Sequence, residues 1–192
     1  AILLLNYFSM KGAILGDIIG SRLERSGLKA TDFDLFTTEC RFTDDTVLTI
    51  AVADAIINQR DYGETIKDYA LRYPDAGYGG TFKKWMRDEL EEEYTSWGNG
   101  SAMRVSPVGW LFNDIESVLR EAKASAMPTH SHPEGVKGAQ AIAASTLLCL
   151  FSHSDAAAHP PPLPPPRPRP LHPPPTPPPP PPPTPTPPPP PP

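Results

Sequence analysis

Thr43-Asp44-Asp45-Thr46-Val47-Leu48-Thr49-Ile50-Ala51-Val52-Ala53-Asp54-Ala55-Ile56-Ile57 is the stretch on which the fold turns. From Val47 onward it carries neither Gly nor Pro and is apolar on most sides, the pattern of a helix buried among other elements. Thr43 reads as the N-cap of this helix, with Asp44 and Asp45 at the positive end of its dipole. Thr43, Asp44 and Asp45 also place oxygen ligands in consecutive positions, a donor set for a hard cation. Mg²⁺, Mn²⁺ and Ca²⁺ take such oxygens, whereas zinc recruits His or Cys. Thr-Asp-Asp is equally an ordinary way to begin a helix, so the triplet alone leaves both readings open.

Helical signals extend outward from this segment in both directions. Residues 13–25 read as an apolar helix containing Asp17, ending near Ser26-Gly27, and residues 44–59 as the second helix. Residues 64–73 form a third, stopped by Pro74, and 75–80 a glycine-bearing loop. Thr81 opens a helix to Glu93 whose run of carboxylates at 88–93 reads as a solvated face, since like charges this dense repel one another. Gly98-Asn99-Gly100 is a turn leading into a helix over 101–112 that contains Pro107. Residues 115–126, begun at Asn113 or Asp114, and 133–151 complete the set. No run of alternating strands occurs between residues 10 and 152, so the expected fold is an all-α compact bundle.

Composition divides the chain. Residues 1–9 precede Met10 and read as an upstream extension, 10–152 have globular composition, and 153–192 become a Pro-rich tail with the character of a disordered polyproline II segment. The formal net charge is −5, and no basic stripe interleaved with aromatics is present to neutralise phosphates, so nucleic acid is not an expected partner. The opening apolar residues are too few for a membrane span and lack a basic region before them. Two cysteines, Cys40 and Cys149, give no disulfide framework and fit a reducing, cytoplasmic compartment; both read as core thiols.

Four segments, taken in order, resemble the ADP-ribosylglycohydrolases, a family that includes the dinitrogenase reductase-activating enzyme. Gly16-Asp17-Ile18-Ile19-Gly20-Ser21-Arg22-Leu23-Glu24 is similar to the family's first-helix motif, and Phe42-Thr43-Asp44-Asp45-Thr46 to its metal motif. Gly98-Asn99-Gly100-Ser101-Ala102-Met103-Arg104-Val105-Ser106-Pro107 resembles its ligand-contacting segment, and Thr129-His130-Ser131-His132-Pro133-Glu134 its Thr-His segment. The resemblance covers roughly residues 11–145. It implies an orthogonal helical bundle holding two Mg²⁺ or Mn²⁺ ions in the complete family site. The implied activity is cleavage of ADP-ribose from a modified protein side chain or a related small conjugate. Carboxylates around the anomeric carbon stabilise the positive charge that such a cleavage develops.

By the same resemblance Thr43, Asp44 and Asp45 are metal ligands, and Glu24, with Asp44 and Asp45, belongs to the catalytic group. Glu24 is then the mobile acid near the scissile bond. Gly98, Asn99, Gly100, Ser101 and Met103 line the ADP-ribose groove, and His130 contacts the ribose or phosphate region. Asp17, a carboxylate within an apolar helix, reads as support for its neighbours. Arg104 reads as a groove contact or a buried helix anchor, and Trp85, Trp97 and Trp110 as core or groove wall.

One departure stands out. The family carries a second acidic motif, Asp-x-Asp-Thr, beyond the Thr-His segment, and these 192 residues contain none; past Glu134 the one acidic residue is Asp155. The expectation is an incomplete domain with an impaired site. The alternative is a non-catalytic ADP-ribose-binding remnant or adaptor whose Pro-rich tail recruits SH3, WW or profilin-like polyproline-binding modules.

Overall fold

The computed structural model describes residues 2–24, 26 and 31–158, with side chains at 10–24, 26 and 31–151. The Pro-rich tail and the helix end expected at Ser26-Gly27 lie wholly or partly outside the described residues. Among those described, eight helices follow one another: α1 (Ile2–Gly20), α2 (Asp44–Ile57), α3 (Tyr62–Arg72), α4 (Gly80–Met86), α5 (Gly100–Met103), α6 (Ser106–Leu111), α7 (Ile115–Ala126) and α8 (Pro133–Ala158). The described residues form no sheet; the one β-type pairing is an isolated antiparallel bridge between Thr95 and His130. The all-α expectation therefore holds.

α2 is the buried centre that its composition predicts. Val47, Leu48, Ala51, Val52 and Ala55 are all buried, and the helix packs on α1, α3, α5 and α6. Ala51 and Ala55 give that face low relief, which lets neighbouring backbones come close. Thr43 caps α2 from an extended backbone, its hydroxyl accepting the Asp45 N–H at 3.3 Å. Asp61 and Asp114 cap α3 and α7 in the same way, accepting from the Glu64 and Ser117 amides.

Several boundaries differ from the sequence expectation: α1 begins at Ile2 rather than at residue 13, α3 begins at Tyr62, α8 runs on to Ala158, and four further differences lie at helix ends and at Pro107. α1 ends at Gly20, and residues 21–24 form turns. α2 stops at Ile57 because Gln59 takes a left-handed backbone (φ 53°) and the Arg60 N–H returns to the Ala55 carbonyl, a Schellman ending. α4 closes seven residues earlier than expected by the same device, with Asp88 at φ 59° and the Glu89 N–H on the Lys84 carbonyl. The helix expected over 101–112 is two short helices. Pro107 has no N–H and its ring would strike the carbonyl four residues back, so the chain breaks at Arg104 and Val105 before Pro107 enters the first turn of α6.

α8 packs on α5, α6 and α7. Gly109 of α6 is obligatory in this contact, since a Cβ there would lie 2.5 Å from the Ala143 carbonyl oxygen and 2.6 Å from the Thr146 Cβ. Neither cysteine is in the core: Cys40 is half-buried in the 31–43 segment and Cys149 is exposed on the outer side of α8 with Ile142 and Leu148. Trp97 likewise is no core residue, being 74% exposed. No helix among the described residues is long and apolar enough to cross a membrane.

Candidate active site

The end of α1 and the start of α2 are joined through a single side chain. Asp17 Oδ2 accepts the backbone N–H groups of Thr43 (2.8 Å) and Thr46 (3.2 Å) and the Thr46 hydroxyl, while Oδ1 accepts the Thr43 hydroxyl at 2.6 Å. A carboxylate from one helix thus satisfies the free amides that begin another, where the dipole favours negative charge. The Arg41 N–H donates to the Ser21 hydroxyl and the Asp44 N–H to the Ala76 carbonyl, which fix the approach to α2 on both sides. Asp17 therefore has the supporting position that its place in an apolar helix suggested.

This joint gathers acidic groups. One carboxylate oxygen each from Asp17, Glu24 and Asp45 lies within 4.8 Å of the others. Among the described residues none of these three, nor Asp44, makes a salt bridge. Burial, then the neighbouring charges of Asp45, Glu24 and Asp17, push the Asp44 carboxyl up to about 6. Burial and the Asp17 charge raise Asp45 as well. Uncompensated carboxylates converging from two segments are the donor set that a hard divalent cation neutralises, so the residues present fit such an ion. The Thr43 hydroxyl gives its proton to Asp17, which leaves its oxygen lone pairs for acceptance.

Three cavities meet around these groups. One of about 280 Å³ is lined by Asp17, Glu24, Asp45, Thr49 and Met103. A second of about 540 Å³ is reached past Glu24 and Asp44 and is bounded by residues 75–77. A third of about 180 Å³ lies between Asp44, Met103, residues 98–100 and His130. Glu24 belongs to the first two, Asp44 to the second and third, and Met103 to the first and third. The acidic cluster and the 98–100 turn, far apart in sequence, are thereby neighbours.

Of the residues expected to line the groove, Gly98, Asn99, Gly100, Met103 and His130 border the third cavity. Ser101 lies just outside: it is buried and its hydroxyl donates to the Gly135 carbonyl at 2.8 Å, tying α5 to α8. His130 is buried beneath the turn, and a Cβ on Gly100 would come within 2.9 Å of its Cε1, so any other residue there would press on the ring. Burial, with the Arg104 charge, pulls the imidazole down to about 4, and it is neutral at pH 7. Arg104 is wholly buried and pairs with no carboxylate among the described residues; one terminal nitrogen donates to the Ser125 carbonyl and the Thr129 hydroxyl, both at 2.9 Å.

Sequence reasoning did not single out Thr49, which lines the first cavity, nor the contacts that Thr46 makes to Asp17 and that the Ala76 carbonyl makes to the Asp44 N–H.

The sequence matches the family profile described as ADP-ribosylglycohydrolase over residues 9–160. It is 29% identical to ADP-ribosylhydrolase ARH3 of Gallus gallus, over 70% of this chain and 47% of that protein. It is 28% identical to ADP-ribosylhydrolase ARH3 of Mus musculus, over 76% and 50% respectively. It is 32% identical to the uncharacterized protein YegU of Escherichia coli (strain K12), over 61% of this chain and 40% of that one. The chain spans about half the length of the curated relatives it matches.

Proposed function

This chain belongs to the ADP-ribosylglycohydrolase family, and from that premise we propose that it binds ADP-ribose in the groove under residues 98–100 and a divalent cation, Mg²⁺ or Mn²⁺, at the acidic cluster. The parent activity is hydrolysis of the bond joining ADP-ribose to a modified side chain or related conjugate, carried out in the cytoplasm. The observation that carries this reading is the sharing of Asp44 and Met103 between the cavities, which sets the acidic cluster against the groove.

Each residue has a part that its chemistry supports. Thr43, Asp44 and Asp45 would hold the cation, and Asp17 keeps them in register through its hydrogen bonds to Thr43 and Thr46. A divalent ion there supplies orientation of the ribose hydroxyls and a more acidic water at neutral pH. Glu24, exposed on a turn and bordering two cavities, would carry a proton near the scissile bond. Backbone amides of the 98–100 turn and His130 would receive the pyrophosphate or ribose oxygens, which requires no basic surface and accords with the net charge of −5.

The 192 residues contain no Asp-x-Asp-Thr segment, and among the described residues one acidic group has metal-ligand spacing. We therefore infer that the chain as written binds more readily than it turns over. Calorimetry with Mn²⁺ and ADP-ribose, beside release of ADP-ribose from ADP-ribosylated serine or arginine peptides, tests both parts. Saturable binding with negligible release is expected. Absence of ADP-ribose binding would sink the assignment, and robust metal-dependent release would sink the impairment.

A further inference from the structure

Arg104, Thr129 and His130 form a chain of contacts that ends at the groove. The Thr129 Oγ1 lies 2.9 Å from an Arg104 terminal nitrogen and 2.8 Å from His130 Nδ1, and Thr129 and Arg104 are completely buried. A guanidinium only donates, so Thr129 accepts from Arg104. If Nδ1 also carried a proton, the Thr129 hydroxyl hydrogen would face two donors and be buried with nothing to accept it, at a cost comparable to a lost hydrogen bond. The arrangement that satisfies every group has Thr129 donating to Nδ1. The guanidinium charge favours the same arrangement, since it draws the hydroxyl oxygen toward itself and turns the hydrogen toward the ring.

We propose that Arg104 is a positioning residue for His130: through the Thr129 hydroxyl it holds the imidazole in the tautomer whose proton sits on Nε2, the nitrogen that faces Gly100 and the groove. The position that a Cβ on Gly100 would take is 3.0 Å from Nε2, and Nε2 makes no hydrogen bond within the protein among the described residues. His130 therefore offers a fixed donor to an acceptor oxygen of a ligand in the groove. The imidazole is neutral well below pH 7, so this role is donation without exchange of the proton. The Tyr94 ring beside it and Asp44 across the cavity supply no competing donor to Nδ1. Two other Arg104 nitrogens, Nε and Nη1, have no hydrogen-bond partner among the described residues, which leaves a positive charge without a paired acid behind the wall where an anionic ligand oxygen would lie. The choice of ligand rests on the ADP-ribose reading; the tautomer does not.

The test is nitrogen-15 NMR of the His130 ring in the metal-free 192-residue chain, with the resonance assigned by its loss in His130→Gln. The wild type and Thr129→Ser are expected to show the Nε2–H tautomer alone. Thr129→Val and Arg104→Met are expected to show a mixture, with ADP-ribose affinity reduced about tenfold by loss of one oriented donor. Wild-type chain in the Nδ1–H form overturns the proposal, as does an unchanged tautomer in either Thr129→Val or Arg104→Met. Should Thr129→Val fail to fold, the wild-type spectrum and Arg104→Met still decide it. If no variant binds ADP-ribose while the tautomers behave as expected, the ligand assignment fails and the positioning role stands.

Discussion

The Asp17 carboxylate on α1 and Thr46 on α2 are joined twice, through the Thr46 backbone N–H and through its hydroxyl, both to the same oxygen, Oδ2. With the matching pair of bonds to Thr43, this makes Asp17 the element that sets where α2 begins relative to α1. Asp17→Asn keeps the volume but replaces one accepting oxygen with a donating NH₂. We expect a loss of roughly 2–3 kcal/mol in urea unfolding, the worth of hydrogen bonds to a charged group, together with loss of Mn²⁺ binding. Unchanged stability would show that the joint contributes little.

Asp44 gives a pH-dependent prediction for the metal-free chain. Its folded pKa is raised to about 6 from an ordinary 3.8, so between those values the folded state binds more protons than the unfolded state. Stability from this group is therefore greatest at low pH and declines as pH rises from about 4 to about 6. Asp44→Asn should remove that slope and make the metal-free chain more stable than wild type at pH 7. Saturating Mn²⁺ should raise the melting temperature of the wild type and leave that of Asp44→Asn/Asp45→Asn unmoved. Melting curves with chelator and with Mn²⁺ at about pH 4 and about pH 7, on either side of the slope, read both effects.

Gly100 and Gly12 separate a site glycine from a helix glycine. A Cβ at 100 would lie 2.9 Å from His130 Cε1 and 3.0 Å from Nε2, whereas at 12 it would meet nothing within 4 Å. Gly100→Ala should cost about 1–3 kcal/mol and weaken ADP-ribose binding, the ordinary penalty for overpacking. Gly12→Ala, inside α1, should be neutral or stabilising by about 0.5–1 kcal/mol. Equal effects in thermal unfolding would refute the distinction.

Gln59 ends α2 in a left-handed conformation that glycine adopts without strain. Gln59→Gly should stabilise the chain by a few tenths to about 1 kcal/mol, and Gln59→Val should destabilise it, because a β-branched residue tolerates this region least. Denaturant midpoints at constant slope measure both changes. The reverse order would mean that the α2 ending is not held by the Arg60 N–H to Ala55 bond.

How much was legible beforehand follows from the range of each interaction. The helix over Asp44–Ile57, its Thr43 cap, the Asp114 start of α7 and the all-helical class depend on composition and on contacts within a few residues, so one segment read by itself contains them. The endings of α2 and α4 were not legible, because Gln59 and Asp88 are forced into left-handed backbone by chain reversal rather than chosen for it. The cysteines were misread because a thiol's burial depends on tertiary packing: for Cys149 on which side of α8 faces its neighbours, for Cys40 on how the 31–43 segment lies.

The sequence by itself determined the helical class, the position of the acidic triplet and the four ordered motifs, all of which are properties of residues close together in the chain. Only the tertiary structure decided which carboxylates meet. Asp17, Glu24 and Asp45 come from separate segments and converge because Asp17 bonds the first turn of α2. It likewise decided that Arg104 pairs with the Ser125 carbonyl and the Thr129 hydroxyl rather than an acid, and that His130 sits under Gly100. Hydrogen bonds act over about 3 Å, and no local pattern records which distant atoms packing will bring within that reach.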